Sequence, residues 1–171
     1  MSRSPRLPVS LALLVAVGAL ASPARARDEP AWVRVVPVAA SGERAPEQPP
    51  EVAPALAPFA ALLRQLHYAA YAPLVSDPPR RAVPAGERTT FAEAELGVRY
   101  AVSVAWAPKG EGRMELDVEV TRPKPPPEEG RERVVSLRVP VADGGDCVVR
   151  CVDALDQADL VLILSAGREL R

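Results

Sequence analysis

The stretch LGVRYAVSVAWAPKGEGRMELDVEVT, residues 96–121, sets the architecture. Its first half puts Leu96, Val98, Tyr100, Val102, Val104 and Trp106 at alternate positions, against Gly97, Arg99, Ala101, Ser103 and Ala105. Its second half sets Met114, Leu116, Val118 and Val120 against Glu115, Asp117, Glu119 and Thr121. Side chains of a strand point to opposite faces in turn, so a strict period of two means one buried and one wet face. Pro108-Lys109-Gly110-Glu111-Gly112 between the halves has turn chemistry, and the whole reads as a long antiparallel hairpin.

The flanks extend this β pattern. After the polar, Pro-rich loop at 122–130, Val135, Leu137, Val139 and Val141 alternate in a further strand over 134–141. Asp143-Gly144-Gly145 is a turn, 147–152 is short and β-branched, and 160–164 (LVLIL) is continuously apolar, which suits a strand covered on both faces. On the N-terminal side, 32–38 (WVRVVPV) reads as a strand. Pro37 cannot donate to a ladder there and belongs at a strand end or a sheet edge. Residues 39–54 form a Pro-rich connector with too few apolar groups to order themselves.

One helix stands out, over 55–66. Leu56, Phe59, Leu63 and Leu66 share a stripe that Leu62 widens, and Pro54 and Pro58 fit a first turn, where the amide has no partner. The stripe is the cover expected for the apolar face of the hairpin. The fold class is therefore α+β: a single mostly antiparallel sheet or small sandwich with one packed helix, as one domain over 27–171.

Residues 1–26 read as a secretory signal peptide. Arg3 and Arg6 precede an unbroken apolar run at 11–21, and Ala24-Arg25-Ala26 supplies the small residues of a cleavage site. The run is short for a membrane span, which takes roughly 20 residues. The expected location is periplasmic or secreted, with no membrane span after cleavage. The 29 alanines, and 19 arginines against two lysines, look like a GC-rich bacterial coding sequence before they look like function. A formal charge of −1 leaves no excess of cations for phosphate neutralisation, so nucleic acid is not an expected partner.

Few residues can carry chemistry. His67 is the one histidine, beside Tyr68 and Tyr71, where a partly buried structural role suits it better than general-base work. No Gly-x-Ser-x-Gly elbow, Gly-rich phosphate loop or Cys-x-x-Cys pair occurs. Asp143, Asp146, Asp153, Asp156 and Asp159 offer hard oxygens to calcium but lack the EF-hand spacing. Turn roles for Asp143 and Asp146, and a helix cap by Asp153 for a short turn through Gln157, account for them. Glu115, Asp117 and Glu119 fit a solvated strand face. No catalytic, metal or cofactor-binding residue is assigned, and no cofactor is expected. Cys147 and Cys151 form a possible disulfide, because an oxidising compartment and an even count favour one. Geometry opposes it: residues four apart in a strand lie about 13 Å apart, whereas a bridge needs Cα atoms within about 7 Å.

The chain resembles a group of small, uncharacterised exported bacterial proteins. The residues that carry this are the strand end Val38-Ala39-Ala40-Ser41, the Leu-rich helix face and Tyr-x-x-Tyr-like segment at 56–66 and 68–71, and the Gly turn, Val-rich strand and apolar strand over 143–166. The resemblance implies no activity and no site residues. The Gly-Gly turn into Cys147-Val148-Val149 also resembles the pore-forming sheet segment of secretins, a match that turn-plus-strand composition explains equally well.

Together these readings point to a non-enzymatic binding or assembly module of the bacterial envelope with an envelope protein partner. Pro37 and the loop at 123–127 would shield part of a sheet edge, leaving the strand at 134–141 to accept a partner strand. The alternative is a carboxylate-based hydrolase or metal-dependent extracytoplasmic enzyme, for which only the acidic residues speak.

Overall fold

A computed structural model describes residues 30–168 except 46, 111 and 156, with the side chains of 152–154 left undescribed. Residues 1–26, read from sequence as a signal peptide, lie outside the described residues. The chain is mostly strand and its ladders are mostly antiparallel.

Two sheets pack face to face. The first runs in the order β2 (Glu51–Val52), β3 (Tyr68–Pro73), β1 (Ala31–Glu43), β10 (Ala158–Arg168), β9 (Gly145–Leu155), with β4 (Arg80–Val83) also on β1. The second runs β5 (Thr89–Phe91), β6 (Ala101–Pro108), β7 (Arg113–Pro123), β8 (Arg131–Ala142). The alternation read in the hairpin gives the inner face of the second sheet. Val102, Val104, Trp106, Met114, Leu116, Val118 and Val120 meet Val33, Val35, Val149, Leu160, Leu162 and Leu164 of the first sheet in one buried core. Trp106 ties the layers by donating Nε1–H to the Val83 carbonyl at 2.6 Å.

The helix does not cover the hairpin. Its stripe, Leu56, Phe59 and Leu63, packs on the outer face of the first sheet against Val36, Val38, Val161 and Ile163. The reason is that β10 is apolar on both sides: one face meets the hairpin, so the other needs a cover of its own. The segment is also not one helix over 55–66. Pro54–Phe59 is a 3₁₀ segment and α1 covers only Ala60–Leu63. Pro58 lies inside the 3₁₀ segment, where a missing N–H interrupts any i→i−4 ladder.

Pro37 sits neither at a strand end nor at a sheet edge but in the middle of central β1, opposite Leu162. Its tolerance follows from the ladder. β4 pairs with residues 31–34 of β1 and β3 with residues 38–43, so β1 changes neighbour at Pro37. On that side the Val35 N–H donates to the Pro79 carbonyl and the Pro37 carbonyl accepts from Leu74 N–H. Backbone groups alternate along a strand, so the absent Pro37 N–H points into the break between β4 and β3.

Other boundaries differ from the sequence reading. The expected connector at 39–54 begins as strand to Glu43, and Glu51–Val52 adds to β3 in parallel. The hairpin strand starts at Ala101, because Glu93–Leu96 forms a helical turn, α2, ended by Gly97 at φ 65°. A Cβ on Gly97 would lie 3.1 Å from the Leu74 carbonyl oxygen as well as forcing that φ. The chain stays extended through Leu155, so no helical turn begins at Asp153.

Candidate functional site

Two regions concentrate polar chemistry or unpaired backbone. The first is a concavity of about 460 Å³ at one end of the first sheet, lined among others by Ser41, His67, Tyr68, Arg150, Gln157 and Asp159. The ladder between β9 and β10 shifts register between Ala158 and Leu160: residues 152–154 of β9 face the single residue Asp159 of β10, an irregularity of the kind that re-aims side chains. Its carboxylate is buried and accepts hydrogen bonds on Oδ2 from Arg150 Nε at 3.1 Å, Arg150 Nη2 at 2.9 Å and the Tyr68 hydroxyl. The Arg150 guanidinium also lies 4.9 Å from the Tyr68 ring centroid, a cation–π placement.

These contacts decide what the cluster can do. Burial, and then the hydrogen bond to Asp159, push the Tyr68 hydroxyl up to about 12, so it remains a proton donor at neutral pH. The Asp159 carboxylate is already held, on one oxygen, by a guanidinium and a phenol. The arrangement suits a positioning knot that ties β3, β9 and β10 together. His67 is exposed on its rim, not partly buried as expected from sequence, and its carbonyl accepts from the Arg44 N–H.

The acidic residues do not converge. Asp143 accepts from the Arg168 N–H at 2.7 Å and Nε at 3.0 Å, and Asp146 accepts from the Ser165 hydroxyl. Ser165 and Asp159 lie six residues apart on β10, about 20 Å of strand, so Asp146 and Asp159 occupy opposite ends of the sheet. Glu115, Asp117 and Glu119 pair with Lys109, Arg88 and Arg138 on the outer face of the hairpin. The hydrogen bond from Lys109 holds the Glu115 carboxyl below its ordinary range. Among the described residues no three His, Cys, Asp or Glu side chains group as a metal site requires. Asp153 and Asp156 fall outside the described side chains.

Cys147 and Cys151 are free and buried, both on the core face of β9 opposite Leu164 and Leu160. Burial pushes both thiols up to about 11, which suppresses the reactive thiolate.

The second region is the edge formed by β8 and β9. Among the described residues β8 pairs only with β7, and β9 only with β10. The strands touch each other where Asp143 and Gly144 (φ 75°) turn the chain from one sheet into the other. Core-facing Val135, Leu137 and Val139 are only half buried, and Val134 is the large apolar side chain left exposed. The Asp143 N–H donates to the Gly112 carbonyl in the turn just before β7. By alternation, Val141, Val139 and Leu137 direct backbone groups to β7, while Ser136, Arg138 and Pro140 direct theirs outward. Pro140 therefore removes one donor from the free edge, and Ser136 and Arg138 keep theirs. Sequence reasoning found this strand but not β9 as its companion edge, because sheet membership is not written in periodicity.

Among the described residues no helix is long and apolar enough to cross a membrane. No protein-family model matches the chain, and no curated protein matches it. Among solved structures it is similar to the secretin InvG of the Salmonella SPI-1 type III secretion injectisome (residues 176 to the end, open gate state), at 10% identity and a TM-score of 0.34. That match covers 84% of this chain and 62% of the secretin chain, so this chain spans less than two thirds of it. At that score the likeness carries no argument about what the protein does.

Proposed function

We propose that the protein is an exported, non-catalytic binding module of the bacterial envelope, acting as one domain over 27–171, which takes a strand of a protein partner along its β8–β9 edge. The observation that carries this reading is the unfinished edge: two consecutive strands, one from each sheet, with no outer neighbour and with Val135, Leu137 and Val139 half covered. A strand added beside β8 would continue that ladder through the outward groups of Ser136 and Arg138 and lie against those side chains. The signal-like sequence at 1–26 supports the location. The carboxylate enzyme reading has less support, since Glu115, Asp117, Asp143, Asp146 and Asp159 are spread over two sheets and held by arginine, lysine, serine or tyrosine partners.

A photo-cross-linking side chain at Ser136, compared with one at Thr90 on the opposite edge strand β5, tests it in the native cell. A discrete adduct from Ser136 alone, lost when Arg138→Pro removes the neighbouring outward N–H, is the expected result. Equal labelling from both edges, or a hydrolytic activity of the purified protein abolished by Asp146→Asn, overturns it.

A further inference from the structure

A cavity of about 640 Å³ lies at the other end of the hairpin, where β6 begins and β7 ends. Glu93, Arg99, Tyr100, Arg122, Lys124 and the rings of Pro123, Pro125 and Pro126 line it. Three cations thus face one carboxylate, and that carboxylate is taken by Arg131 from outside the lining. Arg122 is anchored by Glu132 and by a hydrogen bond with buried Tyr100. Lys124 pairs at 3.0 Å with Glu128, a partner 64% exposed, and such surface pairs exchange readily. Arg99 is exposed and has no ion pair among the described residues.

We propose that this cavity binds a phosphoryl group. With Glu128 and Glu132 counted, the cations Arg99, Arg122, Lys124 and Arg131 exceed the carboxylates Glu93, Glu128 and Glu132 by one, and the solvent-facing Lys124–Glu128 pair can open to an incoming anion. Two guanidinium forks and an ammonium present more donors than a carboxylate's two oxygens can accept, and tetrahedral phosphate oxygens match them. The proline rings give an apolar wall on which the body of a phosphate ester rests. The group is recognised the same way on a soluble phosphate or on a phospholipid headgroup. This site is separate from the β8–β9 edge, and the proposal stands without the binding-module reading.

The test uses the folded chain, with inorganic pyrophosphate titrated by calorimetry and with vesicles of phosphatidylcholine carrying phosphatidic acid assayed by co-sedimentation. Saturable pyrophosphate binding, weakened by about tenfold or more in Arg99→Gln/Lys124→Gln and unchanged in Arg88→Gln, supports the site with a soluble source. Binding confined to the phosphatidic acid vesicles, with the same variant pattern, supports it with a lipid source. Arg99 is exposed and Lys124 half-buried, and an unchanged melting temperature confirms that the double variant folds. No binding to either probe, or equal weakening by Arg88→Gln, overturns the proposal.

Discussion

β10 and β8 are strands of similar length, 11 and 12 residues, with opposite surroundings. β10 lies between β1 and β9 with residues 159–166 all buried, one face against the hairpin and the other under the 3₁₀ segment and α1. β8 has a neighbour on one side only, and most of its outward face is solvated. The two buried polar residues described, Asp159 and Ser165, are both on β10, and each is hydrogen-bonded. The contrast teaches that strand propensity places neither strand: continuous against alternating hydrophobicity decides which is central.

The severest way to break the contrast is to charge both strands. Leu162→Asp puts an unpaired carboxylate at a fully buried site between two layers, whereas Ser136→Asp adds a charge to a solvated face. Leu162→Asp is expected to abolish cooperative unfolding in urea, and Ser136→Asp to leave the midpoint nearly unchanged. A folded Leu162→Asp protein would mean that β10 opens to water. The thiols of neighbouring β9 report the same core. Cys147 and Cys151 should resist alkylation at neutral pH in the native chain and react together once urea unfolds it, without reductant. If the unfolded chain reacts only after reduction, the two are bridged.

A graded comparison follows from truncation. Leu162→Ala removes a side chain that touches both the hairpin layer and its own sheet neighbours, and should cost about 2–5 kcal/mol. Leu137→Ala on half-buried β8 should cost about 1 kcal/mol, since much of its surface is already wet. Urea midpoints with unchanged slopes measure both. Equal losses would show that the β8 edge is covered in solution, and a second copy of the chain would then be the first occupant to look for.

The hairpin, β8, β9 and β10 were legible because period-two alternation and the run at 160–164 are local signals. β3, β4 and β5 were not. Tyr68–Pro73 carries alanine and proline in place of β-branched residues, and it becomes a strand because β1 offers it an edge. The role of Pro37 was hidden for the same reason: only the change of neighbour along β1 shows where its missing N–H points. The cluster of Tyr68, Arg150 and Asp159 joins residues far apart in sequence beside a two-residue register shift of β9 that no pattern announces. The acids were visible, but their separation to opposite ends of one sheet was not.

The smallest expected effect concerns the single buried carboxylate of β10. In the folded chain the Tyr68 hydroxyl is pushed from 10.0 to about 12, first by burial and then by its hydrogen bond to Asp159. Below pH 10 the phenol is protonated whether the chain is folded or unfolded, so the stability this hydrogen bond contributes is fully present. Above pH 10 the unfolded phenol loses its proton while the folded one keeps it, and that stability drains away as the pH rises through about 12. Tyr68→Phe should therefore flatten the alkaline fall in stability and remove one late-titrating phenol from the near-ultraviolet absorbance. Asp159→Asn should move the same titration down toward 10 without reaching it, because burial, the larger cause, remains. A Tyr68 that titrates near 10 in the native chain would show that the knot of β3, β9 and β10 is open, and the first sheet would then have a loose end opposite its β8–β9 turn.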